Sequence, residues 1–165
     1  MTDPIYNVLF LCTGNSARSI IAESLLNAMG KGRFKAFSAG SRPGGTLNPL
    51  VLEHLDSLRL STDGARSKSW DEFAAVDAPR MDLIITVCDD AAGEECPVWP
   101  GMPARAHWSA PDPAAHMDDP EKAKRIIREV TQLMHQRISL LVSLPMEKLD
   151  RMSLQTETRA IADKT

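Results

Sequence analysis

No apolar run in this 165-residue sequence approaches the ~20 residues a helix needs to cross a bilayer. Neither sign of charge dominates. A net charge of −3 offers nothing to a nucleic-acid backbone or an anionic membrane, so neither is expected as a partner. The four histidines (His54, His107, His116, His135) are scattered over separate segments, and no metal ligand set is expected. Cysteine is down to three residues, an odd number that no fully paired secreted framework can use. The opening MTDPIYN lacks a basic stretch followed by a long apolar one, so no signal peptide is expected. Unpaired thiols then point to the cytoplasm. Internal repeats and low-complexity tracts are missing. A monomer with no tightly bound cofactor is the expectation.

What is present is an ordinary globular composition, 43% hydrophobic and 25% charged. Residues 1–145 read as a single domain and 146–165 as a polar, loose or weakly helical C-terminal tail. The chain is organised around Ile5–Ser19. A strand over Ile5–Leu11 runs into a tight loop from Cys12 to Arg18, and a helix starts at about Ala17. Gly14 and Asn15 can take positive φ at low cost. Successive backbone N–H groups of Thr13, Gly14, Asn15, Ser16, Ala17, Arg18 and Ser19 can then converge on a tetrahedral oxyanion, helped by the helix N-terminus. Arg18 adds a bidentate clamp. The same positive field lowers the pKa of Cys12 and supplies a thiolate nucleophile. The competing structural reading, a core cysteine before an ordinary helix, accounts less well for the strand–loop–helix context.

Downstream, helices are predicted over Arg18–Met29, Asn48–Leu58, Trp70–Val76 and from a cap at Asp118 or Asp119 to Pro145. Strands are predicted over Phe34–Gly40, Asp82–Cys88 and Ala104–Trp108. The alternation gives an α/β fold, a four-stranded parallel sheet with helices on both faces. Ligands of such sheets bind at the carboxyl ends of strands. The first and third strands end in Cys12 and Cys88, and Asp112 follows the fourth. Asp112 stands in a Pro-Asp-Pro triplet, which as a turn former needs no chemistry; as a carboxylic acid it could protonate a leaving oxygen. Cys88 and Cys96 flank a small polar segment short enough to bring two sulfurs to a Cα separation of about 5.5 Å.

The order Cys12, five residues, Arg18, Ser19, close behind the first strand, resembles the active-site loop of the low-molecular-weight tyrosine phosphatase superfamily. That resemblance implies the strand order 2-1-3-4, with the first and third strands adjacent, and Asp112 as general acid. A phosphatase would need one cysteine and cleft aromatics after the acid; here Pro113-Ala114-Ala115-His116 follows, and the chain has one Tyr. CTGNSARS, VCDDAAGEECPVWPG and HWSAPDP together look like the arsenate reductases of that superfamily. The implied reaction uses Cys12 on arsenate, Cys88 on Cys12 and Cys96 on Cys88, with thioredoxin or glutaredoxin as reductant and phosphate or sulfate as competing oxyanions. The alternatives are a phosphatase acting through phosphocysteine, and a non-catalytic oxyanion-binding or redox-sensing module. Some members bind potassium beside the loop through an Asn, a Glu, a Ser and a later Asp. Asn15, Glu23 and Ser38 match, but Trp70 falls where the Asp is expected. Ala17 replaces a further cysteine of some members.

Overall fold

The computed structural model describes residues 4–62, 64–87 and 102–165. Cys88, Cys96 and the polar segment joining them lie outside the described residues. Four strands, β1 (Tyr6–Cys12), β2 (Phe34–Gly40), β3 (Leu83–Thr86) and β4 (Ala104–His107), form one parallel sheet in the order β2-β1-β3-β4. This is the architecture expected from the sequence. The helices are α1 (Arg18–Met29), α2 (Pro49–Ser57), α3 (Asp71–Ala74), α4 (Pro120–Val142) and α5 (Arg151–Lys164).

Period-2 alternation along β1 sorts the core into two layers. Val8, Phe10 and Cys12 pack on one side of the sheet with Ile20, Ile21 and Leu25 of α1 and with the long stripe of α4, from Ile126 to Leu141. Leu9 and Leu11 point the other way, onto Ala39, Trp70, Phe73 and Ile84. A central strand buried on both faces must be apolar throughout, which is why β1 reads as a continuous run. The start of α4 follows from local chemistry. Pro120 occupies the first turn, and the Asp119 side chain caps by accepting from the Lys122 N–H at 3.3 Å.

The C-terminal segment, read from the sequence as loose or weakly helical, is a helix over most of its length. Residues 151–164 form a helix, α5, that buries Leu154, Thr158 and Ile161. The stripe is hard to read because its middle member is polar; the Thr158 hydroxyl is satisfied by the Leu154 carbonyl at 2.7 Å and so can be buried. This helix also covers the edge of the sheet. The Arg105 N–H donates to Gln155 Oε1 at 3.0 Å, and Arg159 Nε donates to the Arg105 carbonyl at 3.2 Å. Side chains of α5 thus occupy backbone groups that an edge strand would expose to other chains. The Thr158 carbonyl accepts from the indole N–H of the fully buried Trp108 at 2.9 Å. Trp108, which closes the predicted fourth strand, is a core anchor. No helix among the described residues is long and apolar enough to cross a membrane.

Candidate oxyanion site

β1 ends at Cys12, a residue only 4% exposed, and α1 begins six residues later at Arg18. The intervening loop is held by its carbonyls. The N–H groups of Ser41, Arg42, Gly44 and Asn48 donate to the carbonyls of Cys12, Thr13, Gly14 and Ser16 at 3.3, 2.9, 3.3 and 3.0 Å. With those carbonyls turned toward residues 41–48, the loop's own N–H groups are left to face the opposite side, the arrangement that binds an anion. Asn48 serves twice, since its side chain also caps α2 by accepting from the Leu50 N–H at 3.0 Å.

The start of α1 has no side-chain cap and no acidic residue in its first turn. Its orphan N–H groups and its dipole are therefore unopposed, and both favour a negative charge just ahead of the helix.

Positive φ falls on one of the two loop residues expected to allow it. Asn15 has φ +48°; Gly14 is not in that region, and a Cβ placed on it would touch only Ser16 Oγ at 3.7 Å. The glycine the loop requires is Gly40, at the end of β2 opposite Cys12. A Cβ there would lie 2.5 Å from the Thr13 carbonyl oxygen and 3.0 Å from that of Cys12. Sequence reasoning passed over Gly40 because it looks like an ordinary strand end. Only the parallel pairing of β2 with β1 puts it under the loop.

Asn15 is fully buried, and its side chain knits the loop to two neighbours. Nδ2 donates to Ser19 Oγ at 2.9 Å, and Oδ1 accepts from the Lys68 N–H at 2.8 Å. With its oxygen accepting from Asn15, the buried Ser19 hydroxyl keeps its own hydrogen to donate.

Arg18 and Asp112 come together across 94 positions of sequence. Arg18 Nη2 lies 3.4 Å from Asp112 Oδ2, and Nη1 donates to the Ala110 carbonyl at 3.3 Å. Asp112 is 40% exposed at its side chain, against 12% for Arg18, so the carboxylate stands at the mouth and the guanidinium inside it. The strip carrying Asp112 is braced from behind by Arg137, a buried residue whose Nη1 donates to the Ser109 carbonyl at 2.8 Å. Arg137 was not singled out in the sequence; its place on the apolar stripe of α4 is the one available sign. His107 ends β4 beside Thr86, with Nδ1 2.7 Å from Thr86 Oγ1.

Beneath the loop lies a polar cluster. Lys68, 8% exposed, donates from Nζ to Ser38 Oγ at 3.3 Å and to the Arg66 carbonyl at 2.9 Å. Glu23 takes hydrogen bonds from the side chain and backbone of Ser38 and feels the positive charge of Lys68. Burial raises the Glu23 pKa, against the opposing pull of Lys68 and Ser38. Burial likewise lowers the Lys68 pKa, partly offset by Glu23. Trp70 belongs to the apolar layer with Leu9 and Phe73.

The chain is similar to known proteins in both sequence and fold. The family model of low molecular weight phosphotyrosine protein phosphatase matches residues 7–154. The arsenate reductase of Bacillus subtilis (strain 168) is 36% identical over 107 residues, 65% of this chain and 73% of that one. The crystal structure of arsenate reductase from Archaeoglobus fulgidus superposes with a TM-score of 0.61 at 31% identity, covering 80% of this chain and 98% of that one. The thioredoxin-dependent arsenate reductase of Corynebacterium glutamicum gives a TM-score of 0.61 at 28% identity, covering 86% of this chain and 65% of that one.

Proposed function

The chain belongs to the low molecular weight phosphotyrosine protein phosphatase family, and from the arsenate reductases among its relatives we propose that it reduces arsenate to arsenite. The observation that carries this reading is the carbonyl-tied loop behind buried Cys12, with Arg18 reaching Asp112, in a sequence that holds two further cysteines.

The loop amides and Arg18 hold the arsenate oxygens, and the Cys12 thiolate attacks arsenic. Asp112 gives a proton to the departing oxygen, which leaves as water. The Cys88 thiolate then attacks Cys12 Sγ. An S–S bond forms, the As–S electron pair stays on arsenic, and arsenite departs. Cys96 attacks Cys88 Sγ and releases the Cys12 thiolate. Two thiols have become one disulfide, and arsenic(V) has gained the two electrons. A dithiol partner reduces Cys88–Cys96. Thioredoxin is the reductant of choice, by analogy with the Corynebacterium glutamicum enzyme.

Because Arg18 holds the Asp112 carboxylate at the mouth, Asp112→Asn should leave arsenate affinity within a few-fold. It should lower kcat by about 10²–10⁴, the usual worth of a positioned proton donor. Steady-state kinetics at several pH values reads both parameters. The whole reading is tested by following NADPH oxidation with thioredoxin and thioredoxin reductase on addition of arsenate, beside hydrolysis of an aryl phosphate. Arsenate-dependent turnover supports a reductase; brisk ester hydrolysis without it leaves a phosphatase.

A further inference from the structure

The potassium site that the family resemblance suggests, Asn15, Glu23 and Ser38, does not fit a metal ion in this chain. Its oxygen ligands are already engaged. Ser38 Oγ accepts from the Lys68 ammonium at 3.3 Å while hydrogen-bonding Glu23, and Asn15 Oδ1 accepts from the Lys68 backbone N–H at 2.8 Å. A potassium ion placed among them would meet a buried ammonium carrying the same charge.

We infer that the Lys68 ammonium is a built-in cation beneath the oxyanion loop, a positioning residue that makes anion binding independent of monovalent metal ions. Three observations carry this. First, Lys68 is buried, yet its Nζ meets polar oxygens of Ser38 and Arg66 and faces the Glu23 carboxylate, which is how a buried ammonium is tolerated. Second, the backbone of the same residue ties the loop to the end of β2. Its N–H donates to Asn15 Oδ1, and its carbonyl accepts from the Gly40 N–H at 2.8 Å. Third, Asn15 is the positive-φ residue of the loop and donates to Ser19 at the start of α1. Anchoring the Lys68 side chain on Ser38, beside the Glu23 charge, therefore fixes the register of the segment that sets the loop. A neutral residue at 68 would take the nearby positive charge away from the Glu23 carboxylate and leave Ser38 Oγ and the Arg66 carbonyl without the donor they share.

The inference rests on the loop being an anion site but not on arsenate reduction, so its test is a binding measurement. The rate of iodoacetamide alkylation at Cys12, resolved by peptide mass spectrometry, is followed against sulfate concentration in sodium, potassium and ammonium chloride at equal ionic strength. Wild-type protein is expected to give the same sulfate dissociation constant in all three salts. Lys68→Ala should weaken sulfate binding about tenfold in sodium, the scale set by leaving a buried polar group unpaired. Potassium or ammonium should restore most of that loss in the variant. Potassium-dependent protection in the wild type overturns the inference, and this arm needs no variant to fold. So does a Lys68→Ala protein that binds sulfate normally in sodium, or one whose defect no cation repairs, since a merely structural lysine would behave that way. Sulfate failing to protect Cys12 in any protein would instead strike the oxyanion site itself.

Discussion

Cys12→Ser is expected to abolish arsenate-dependent turnover, by at least ~10⁴-fold as for other essential nucleophiles, while leaving sulfate binding intact. The loop and helix field that favours a thiolate does not bring a hydroxyl to the same state, because an alcohol ionises far less readily than a thiol. In the proposed site the anion is held by backbone N–H groups and Arg18, none of which the substitution removes. Cys12 is also buried among Val87, Ala17 and other apolar groups of the main core, and oxygen for sulfur is a small change of volume there. Steady-state assay together with calorimetric sulfate titration separates the two effects. Residual turnover within a hundredfold of wild type would contradict the nucleophile assignment.

Gly40→Ala should damage both stability and activity. Its Cβ would lie 2.5 Å from the Thr13 carbonyl oxygen and 3.1 Å from the Asn15 Cβ, and both neighbours are fixed. Thr13 is tied by the Arg42 N–H, and Asn15 is held on Ser19 and Lys68. Neither can retreat as a flexible side chain would, so β2 and the loop must separate. The expected cost is about 2–4 kcal/mol in chemical denaturation, at the upper end for overpacking because backbone must move. Sulfate affinity of the folded fraction should fall as well, because the Ser41, Arg42 and Gly44 amides that orient the loop follow directly after Gly40. Gly14→Ala is the control. It meets only Ser16 Oγ at 3.7 Å and should fold with near-normal stability.

The contrast between these glycines shows where sequence information ends. The Cys12–Ser19 stretch was legible because its elements are local: a strand, a turn that one residue makes with positive φ, and an uncapped helix start. The sheet was legible because β1 and β3 are apolar runs, β2 alternates, and helices of clear period stand between them, such as α2 with Val51 and Leu55 buried. Three features were not. Gly40 matters through a cross-strand approach, and a strand-end glycine carries no mark of its neighbour. Lys68 lies in a polar stretch, where a lysine is normally solvated; only the fold brings Ser38 and Glu23 around it. The helix over 151–164 presents Leu154, Thr158 and Ile161 to the core, and a threonine in mid-stripe hides the period. Arg18 and Asp112, 94 positions apart, are each assigned to the site by the sequence, Arg18 as the anion clamp and Asp112 through its place after the last strand and the family resemblance; their mutual contact at 3.4 Å is added by the structure.

The three-thiol relay is tested most directly by a single turnover without reductant. One equivalent of arsenate is added to fully reduced protein, arsenite is quantified, and thiols and disulfides are mapped by mass spectrometry. The relay predicts one arsenite per protein, with three thiols falling to one and a Cys88–Cys96 disulfide. In Cys96→Ser it predicts the disulfide trapped as Cys12–Cys88. Three thiols remaining while arsenate is recovered unchanged, or a disulfide that excludes Cys88, would contradict it.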